Sequence, residues 1–257
     1  MLKCFDLAGK TALVTGAGGG LGTVFSKAIS EAGAEIFLAG RRESALAPVA
    51  EEIEKSGGKC SYASCDIMSE ESINQAVEKC IEVFGKVDIL VNAAGCNRIN
   101  LSPMDTDTET YNKVVQTNIL GTLNMCKACA KDMMKRGWGR IVNIASISGL
   151  IVNKGVYGGS YDVTKAAMVM MTKTLATEWC KSGICVNSIA PGYFSTKPNL
   201  DFFAADDTFY GKVMNMIPME RMGDPAELVG ALILLCSDAA SYMQGECIVV
   251  DGGYTCW

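Results

Sequence analysis

Short runs of β-branched and apolar residues alternate with longer stretches of helical periodicity along this chain, and that alternation limits the possible folds more than any other feature. Strand-like runs lie at 12–15, 35–39, 61–65, 89–92, 140–145, 185–190 and 247–251. Between them, apolar residues recur at helical spacing over about 20–32, 43–56, 69–84, 107–136, 160–182 and 224–237. Such alternation predicts an α/β protein built on a mostly parallel, doubly wound sheet of seven strands with helices on both faces. The strands read as nearly continuous apolar runs, as they must when both faces of a sheet are covered. No repeat, low-complexity tract or Gly/Ser/Pro-rich linker interrupts the pattern, so residues 1–257 are expected to form one domain. The least regular stretch, 192–215, mixes Pro198, Asp201, Asp206 and Asp207 with Phe202, Phe203, Phe209 and Tyr210. It reads either as a flap over a site or as an ordinary surface excursion.

Composition removes several functions. The net charge of −5 comes with no cluster of lysines and arginines, so nucleic acid is not an expected partner. The first residues lack the apolar stretch of a secretory signal, and no window of about 18 uninterrupted apolar residues occurs, so a cytoplasmic protein without membrane contact is expected. In that setting the 12 cysteines read as reduced thiols packed as small hydrophobes. Cys126 and Cys129 have a metal-like spacing, but they fall inside a helical pattern with no second pair, so buried thiols are the preferred reading and no metal is expected. Histidine is absent, which removes imidazole bases and His-ligated zinc. Acid/base chemistry must come from other side chains.

The first strand runs into Thr15-Gly16-Ala17-Gly18-Gly19-Gly20-Leu21-Gly22 and then a helix. In that context the glycines have separate uses: Gly16 for a tight turn, Gly20 for close approach of the backbone to a pyrophosphate, Gly22 for tight helix packing. A phosphate would then meet free N–H groups at the helix N-terminus, which makes the expected sheet Rossmann-like. The second strand ends at Ala39-Gly40-Arg41-Arg42, where an acidic residue would hold the ribose of NAD. Arg41 instead suits the 2′-phosphate of NADP, so NADP(H) is favoured and NAD(H) remains open; solvated arginines at a helix start are the alternative. Asp66 and Ile67 follow the third strand, where they could hold an adenine, although Asp66 could equally cap the next helix.

Tyr161 and Lys165 stand four apart at the start of a helical pattern, one turn apart on the same face. An ammonium beside a phenol favours phenolate and draws a reference value of about 10 toward neutrality. Ser146 ends the fifth strand, at the carboxyl edge where open parallel sheets bind ligands. Taken in order, the glycine segment, Asp66, Asn92-Ala93-Ala94-Gly95, Asn118, Ser146, Tyr161, Lys165, Pro191-Gly192 and Asp251-Gly252-Gly253 resemble the short-chain dehydrogenase/reductase family over essentially the whole chain. The resemblance implies a tetrad with Tyr161 as acid/base, Lys165 on the nicotinamide ribose, Ser146 orienting substrate and Asn118 holding a relay water. It also implies cofactor contacts from Leu21, Ile67, Asn92, Gly95, Pro191, Gly192 and Thr196, and a homotetramer built through the two long helices. Where the family carries Asn-Asn-Ala-Gly this chain has Ala93, which cannot supply a side-chain hydrogen bond. Ser148 competes with Ser146 for the substrate role, with strand-end position favouring Ser146.

The expected substrate is a small alcohol or ketone. Arg98 stands three residues beyond Gly95 and could reach a substrate carboxylate, an ordinary surface arginine being the alternative, and the Gly95-Cys96-Asn97-Arg98 segment with the Gly40-Arg41 strand end resembles gluconate 5-dehydrogenase and related polyol or sugar-acid reductases. Steroid or bile-acid hydroxyls and 3-oxoacyl thioesters are the competing substrates, the aromatic residues of 202–210 suiting a larger apolar body. A dinucleotide sensor without catalysis is the reading from another class, and it has no need of a tuned phenol.

Overall fold

The computed structural model describes residues 2–96, 101–204 and 207–257, without the side chains of 207–209; Arg98, Asp206 and the Phe209 side chain therefore lie outside the described residues. Strands β1 (Thr11–Thr15), β2 (Glu35–Gly40), β3 (Cys60–Ser64), β4 (Ile89–Asn92), β5 (Gly139–Ile144), β6 (Ile184–Pro191) and β7 (Cys247–Val250) alternate with helices α1 (Gly20–Glu31), α2 (Glu43–Lys55), α3 (Glu70–Phe84), α4 (Thr108–Val115), α5 (Thr122–Arg136), α6 (Gly159–Trp179), α7 (Lys197–Phe203), α8 (Asp207–Met214) and α9 (Val229–Cys236). The strands form one sheet in the order β3-β2-β1-β4-β5-β6-β7, and every pairing is parallel. The chain winds outward from β1 to β3 and then returns to the other side at β4. Connections leaving β1 and β4 therefore diverge, opening a crevice at their carboxyl ends.

Successive side chains of a strand point to opposite faces, so each strand serves two cores. Ala12 and Val14 of β1 face a core built with Phe25 and Ile29 of α1, Leu46 and Ile53 of α2, and Leu232 and Leu235 of α9. Leu13 faces the other, with Ile73 and Val77 of α3, Met125 and Cys129 of α5, and Leu175 of α6. Cys126 and Cys129 are among the buried thiols, all 12 cysteines are free, and no His/Cys/Asp/Glu group that could hold a metal occurs among the described residues. No helix among those residues is long and apolar enough to cross a membrane.

The elements depart from the sequence expectation in three places. The helical pattern of 107–136 is α4 and α5 joined by a π-helical stretch, Gln116–Gly121. A π-turn inserts an extra residue within a single turn, too local a change to show in the helical pattern of the whole stretch. The stretch 192–215 is not irregular: it holds α7 and α8, whose Phe203, Val213 and Met214 join Ile147, Ile217 and Tyr254 in a third, smaller apolar cluster. Finally, Asp66 is not the cap of α3. Ser69 is, its side chain accepting from the Ser72 amide, whereas Asp66 Oδ1 accepts from the Met68 amide at 3.0 Å within a turn.

Candidate active site

A cleft of about 810 Å³ occupies the crevice. One wall is the glycine turn after β1. Gly16 has a φ of +67°, and a Cβ there would lie 2.8 Å from the Ala94 amide nitrogen, so only glycine lets the two loops meet. Thr15 Oγ1 holds the same contact by accepting from the Ala94 amide at 3.1 Å. Gly22 faces inward, where a Cβ would collide with the Gly16 carbonyl, and this seats α1 on the turn. Gly19 and Gly20 instead line the cleft, and Cβ atoms at either would project into open space.

This turn fits a dinucleotide phosphate on its own chemistry. The first turn of α1 has neither a side-chain cap nor an acidic residue, so its amides and positive dipole end face the cleft uncompensated. Leu21, Asp66, Ile67, Gly95, Pro191, Gly192 and Thr196 all line the cleft as well. Arg41 and Arg42 line its far end, both exposed, with Asp66 as the sole carboxylate residue among the lining positions. A second phosphate there would find two guanidinium groups, while Glu43, next to Arg42, stays out of the cleft lining with its Oε1 accepting from the Ser64 amide at 3.3 Å.

The opposite wall carries Ser146, Tyr161 and Lys165. β5 delivers Ser146 to the edge, and its Oγ accepts from the Ser148 amide at 3.1 Å. Ser148 does not line the cleft; its own Oγ accepts from Asn153 Nδ2 at 2.8 Å. Position thus separates the two serines that the sequence left in competition. Lys165 Nζ lies 5.6 Å from the centre of the Tyr161 ring and donates to the Ile144 carbonyl at 2.6 Å. Lys165 is only 6% exposed, and burial pushes its ammonium down from 10.5 to about 8.

Two expected site residues sit behind the wall instead of in it. Asn92 turns into the sheet, its Nδ2 donating to Asn143 Oδ1 at 2.9 Å and to Cys126 Sγ at 3.2 Å. Asn118 is fully buried in the π-helical stretch. Its Oδ1 accepts from the Cys96 amide at 2.8 Å and its Nδ2 donates to Thr164 Oγ1 at 3.1 Å, while Thr164 Oγ1 donates to the Tyr161 carbonyl at 2.8 Å. Asn118 therefore ties the β4 loop to the first turn of α6, where Tyr161 stands. Thr164 and the Ile144 carbonyl are participants that sequence reasoning missed, and nothing short of the fold could pair residues so far apart in the chain.

Comparison with known proteins agrees with this geometry. A family profile described as enoyl-(acyl carrier protein) reductase matches residues 16–255. The galactitol 2-dehydrogenase (L-tagatose-forming) of Cereibacter sphaeroides is 37% identical over 98% of this chain and 98% of its own length. The 3-oxoacyl-[acyl-carrier-protein] reductase of Aquifex aeolicus is 36% identical over 96% of this chain and 98% of its own. Among solved structures, a gluconate 5-dehydrogenase from Burkholderia cenocepacia in complex with NADP and tartrate superposes with a TM-score of 0.94 at 32% identity, covering 100% of this chain and 99% of that one. The glycine turn, the Ser146, Tyr161 and Lys165 wall and full-length similarity together establish that this chain belongs to the short-chain dehydrogenase/reductase family of oxidoreductases.

Proposed function

We propose that the protein interconverts a secondary alcohol and a ketone on a polyol or sugar acid, with NADP(H) as the preferred cofactor. The observation that carries this reading is the placement of Ser146, Tyr161 and Lys165 on one wall of a cleft whose other wall is a phosphate-ready glycine turn. Bound NADP(H) would supply or accept the hydride. The chain supplies the rest. Tyr161 exchanges the proton of the substrate oxygen; Lys165, pinned to Ile144, holds positive charge beneath that phenol and is placed to bind a ribose hydroxyl. Ser146, already accepting from the Ser148 amide, keeps its own O–H to donate to the substrate oxygen. Asn118 has its side-chain groups engaged by Cys96 and Thr164, so we assign a relay water to its main-chain carbonyl in the π-turn. The complete wall weighs against a sensor without catalysis.

Arg41 supports NADP(H) over NAD(H), and an NADP-bound relative of the same fold adds to it. For the substrate, Thr117, Thr196 and Asn199 add polar groups to the lining. The aromatic residues Phe202, Phe203 and Tyr210 do not line the cleft but pack on one another, with centroids 5.3 and 5.4 Å apart. These three rings therefore give a steroid body no apolar lining. A 3-oxoacyl thioester is the second reading, supported by the Aquifex aeolicus relative. Arg98 stays a proposed carboxylate contact on its sequence position alone. We also propose assembly into a homotetramer, because Val163 (54% exposed) and Met170 (62%) leave an apolar stripe at seven-residue spacing on α6. The free thiols support a reducing cytoplasmic location.

The test is a matrix of rates: galactitol, D-gluconate and a steroid alcohol as oxidation substrates with NADP+ or NAD+, and acetoacetyl thioester with NADPH or NADH. Turnover of a polyol or sugar acid faster with NADP+ is the expected result, and activity confined to the thioester or the steroid overturns the substrate assignment.

A further inference from the structure

α7 and α8 have seven and eight residues, too few to hold helical structure without tertiary support. Their support does not come from either sheet-face core. It comes from the third cluster, where Phe203, Val213, Met214 and Ile217 close around Ile147 and Tyr254. The cluster reaches both sides of the cleft. Ile147 follows Ser146 directly, and Tyr193, which follows Gly192, packs its ring 5.7 Å from Phe203 and 5.5 Å from Tyr254.

Tyr254 enters this cluster from the turn after β7, and that turn is itself tightly tied. The Asp251 carboxylate accepts from the Gly253 amide at 2.9 Å, the Thr255 amide at 2.8 Å and Thr255 Oγ1 at 2.7 Å. The Met219 amide donates to the Gly252 carbonyl at 3.2 Å, and Gly192 donates to Val250 at 2.9 Å. Trp257, although 79% exposed, donates from Nε1 to the Met216 carbonyl at 3.2 Å, just beyond α8. A braced turn therefore presents one buried ring and one indole to the back of two helices that could not stand alone.

We propose that the 251–257 turn is a positioning element for the substrate side of the cleft: Tyr254 and Trp257 seat α7 and α8 so that Pro198 and Asn199, at the start of α7, hold their places in the cleft lining. The proposal rests on the reading of the cleft as an oxidoreductase site with substrate on its α7 side. Neither residue touches the cleft, so both act through the helices they hold. The Tyr254 hydroxyl donates to the Met216 sulfur at 3.9 Å, while the ring is buried in the cluster.

The experiment compares the full-length protein with Tyr254→Phe, Tyr254→Ala and Trp257→Ala. Lys212 is exposed and precedes Val213, whose side chain is fully buried in the cluster, so trypsin reaches that bond only when α8 opens. Cleavage after Lys212 is expected to accelerate about tenfold or more in Tyr254→Ala and about threefold in Trp257→Ala, with Tyr254→Phe affected less than Tyr254→Ala because it keeps the buried ring; proteolysis follows the population of the opened helix. NADPH affinity, read by fluorescence titration, is expected to stay within about twofold throughout, because the glycine turn and Arg41 lie on elements far from α7 and α8 in the sheet. With galactitol and NADP+, KM rises in the two alanine variants more than kcat falls. Trp257 is exposed, so its variant folds even if Tyr254→Ala does not. Unchanged cleavage in the alanine variants, or loss of NADPH binding in step with cleavage, overturns the proposal. Failure of the unsubstituted protein to bind NADPH or oxidise galactitol would instead count against the proposed function, and the protease comparison would still decide the role of the turn.

Discussion

Lys165 is anchored to Ile144: its Nζ donates to that residue's carbonyl at 2.6 Å, at the last position of β5 and two residues before Ser146. The end of β5 thus leads to the hydroxyl proposed to face substrate and also fixes the Lys165 amine 5.6 Å from the centre of the Tyr161 ring. Two side chains from different elements acquire a common reference, because a strand end held by six paired positions to β6 moves little.

Replacing the proton-transfer group tests this wall most directly. Tyr161→Phe keeps the ring over Lys165 and removes only the hydroxyl. Turnover is expected to fall by about 10²–10⁴, the usual contribution of a positioned acid/base. NADPH affinity is expected to hold within about twofold, as the phosphate contacts lie on the opposite wall. Steady-state rates beside a fluorescence titration separate the two, and retained full activity would remove Tyr161 from the reaction.

The buried Lys165 also predicts a pH effect whose sign can be worked out. Its folded value of about 8 lies below 10.5, so between those limits the unfolded chain binds more protons and stability attributable to this group rises with pH. Buried thiols act oppositely: burial pushes Cys65 up to about 11 and Cys126 up to about 12, so the stability they represent is present below pH 9.0 and is lost above it. The whole protein is therefore expected to weaken above pH 9, and the lysine must be read as a difference. Relative to Lys165→Met, the native protein is expected to gain up to about 3 kcal/mol between pH 7 and 10.5, as follows from a fall from 10.5 to about 8. Guanidinium unfolding under reducing conditions at several pH values measures it, and a pH-independent difference would mean that Lys165 is not buried as a charge.

These tests also indicate what the sequence could and could not disclose. The seven strands, the parallel sheet and the Tyr161 and Lys165 pair were readable because they depend on local periodicity and on a four-residue spacing. Asn118 shows the limit. Its position in a motif order marked it, yet its partners Cys96 and Thr164 are brought to it by a π-turn that has no periodic signature. α7 and α8 were hidden for another reason: with seven and eight residues each, their stability comes from Tyr254 and Ile147, which lie far away in sequence. Asn92 carried a motif that suggested cofactor contact, but whether a buried amide faces a cleft or the interior is decided by Asn143 on the neighbouring strand and Cys126 on α5.

Arg41 should act on one cofactor and not the other. A charge-assisted pair with a phosphate contributes about 1.5–3 kcal/mol, so Arg41→Ala is expected to weaken NADP(H) binding about tenfold to a hundredfold. NAD(H), lacking that phosphate, should change by about twofold or less. Isothermal titration with both cofactors reads the selectivity, and equal losses would show that Arg41 does not face the 2′ position.

The glycine turn makes a prediction that separates folding from binding. Gly19 has a φ of 177°, extended backbone open to any residue, and a Cβ there meets nothing within 4 Å. Gly19→Ala is therefore expected to leave the melting temperature within about 2 °C, since no contact is lost and no strain introduced. The added methyl would instead stand in the cleft beside the α1 amides, where a pyrophosphate is expected. NADPH affinity should drop about tenfold, a change of about 1.4 kcal/mol. Gly22→Ala behaves differently, because its Cβ would collide with the Gly16 carbonyl, so stability and binding should fall together. If Gly19→Ala binds NADPH as tightly as the native protein, phosphate does not lie over this turn, and the dinucleotide must enter the cleft another way.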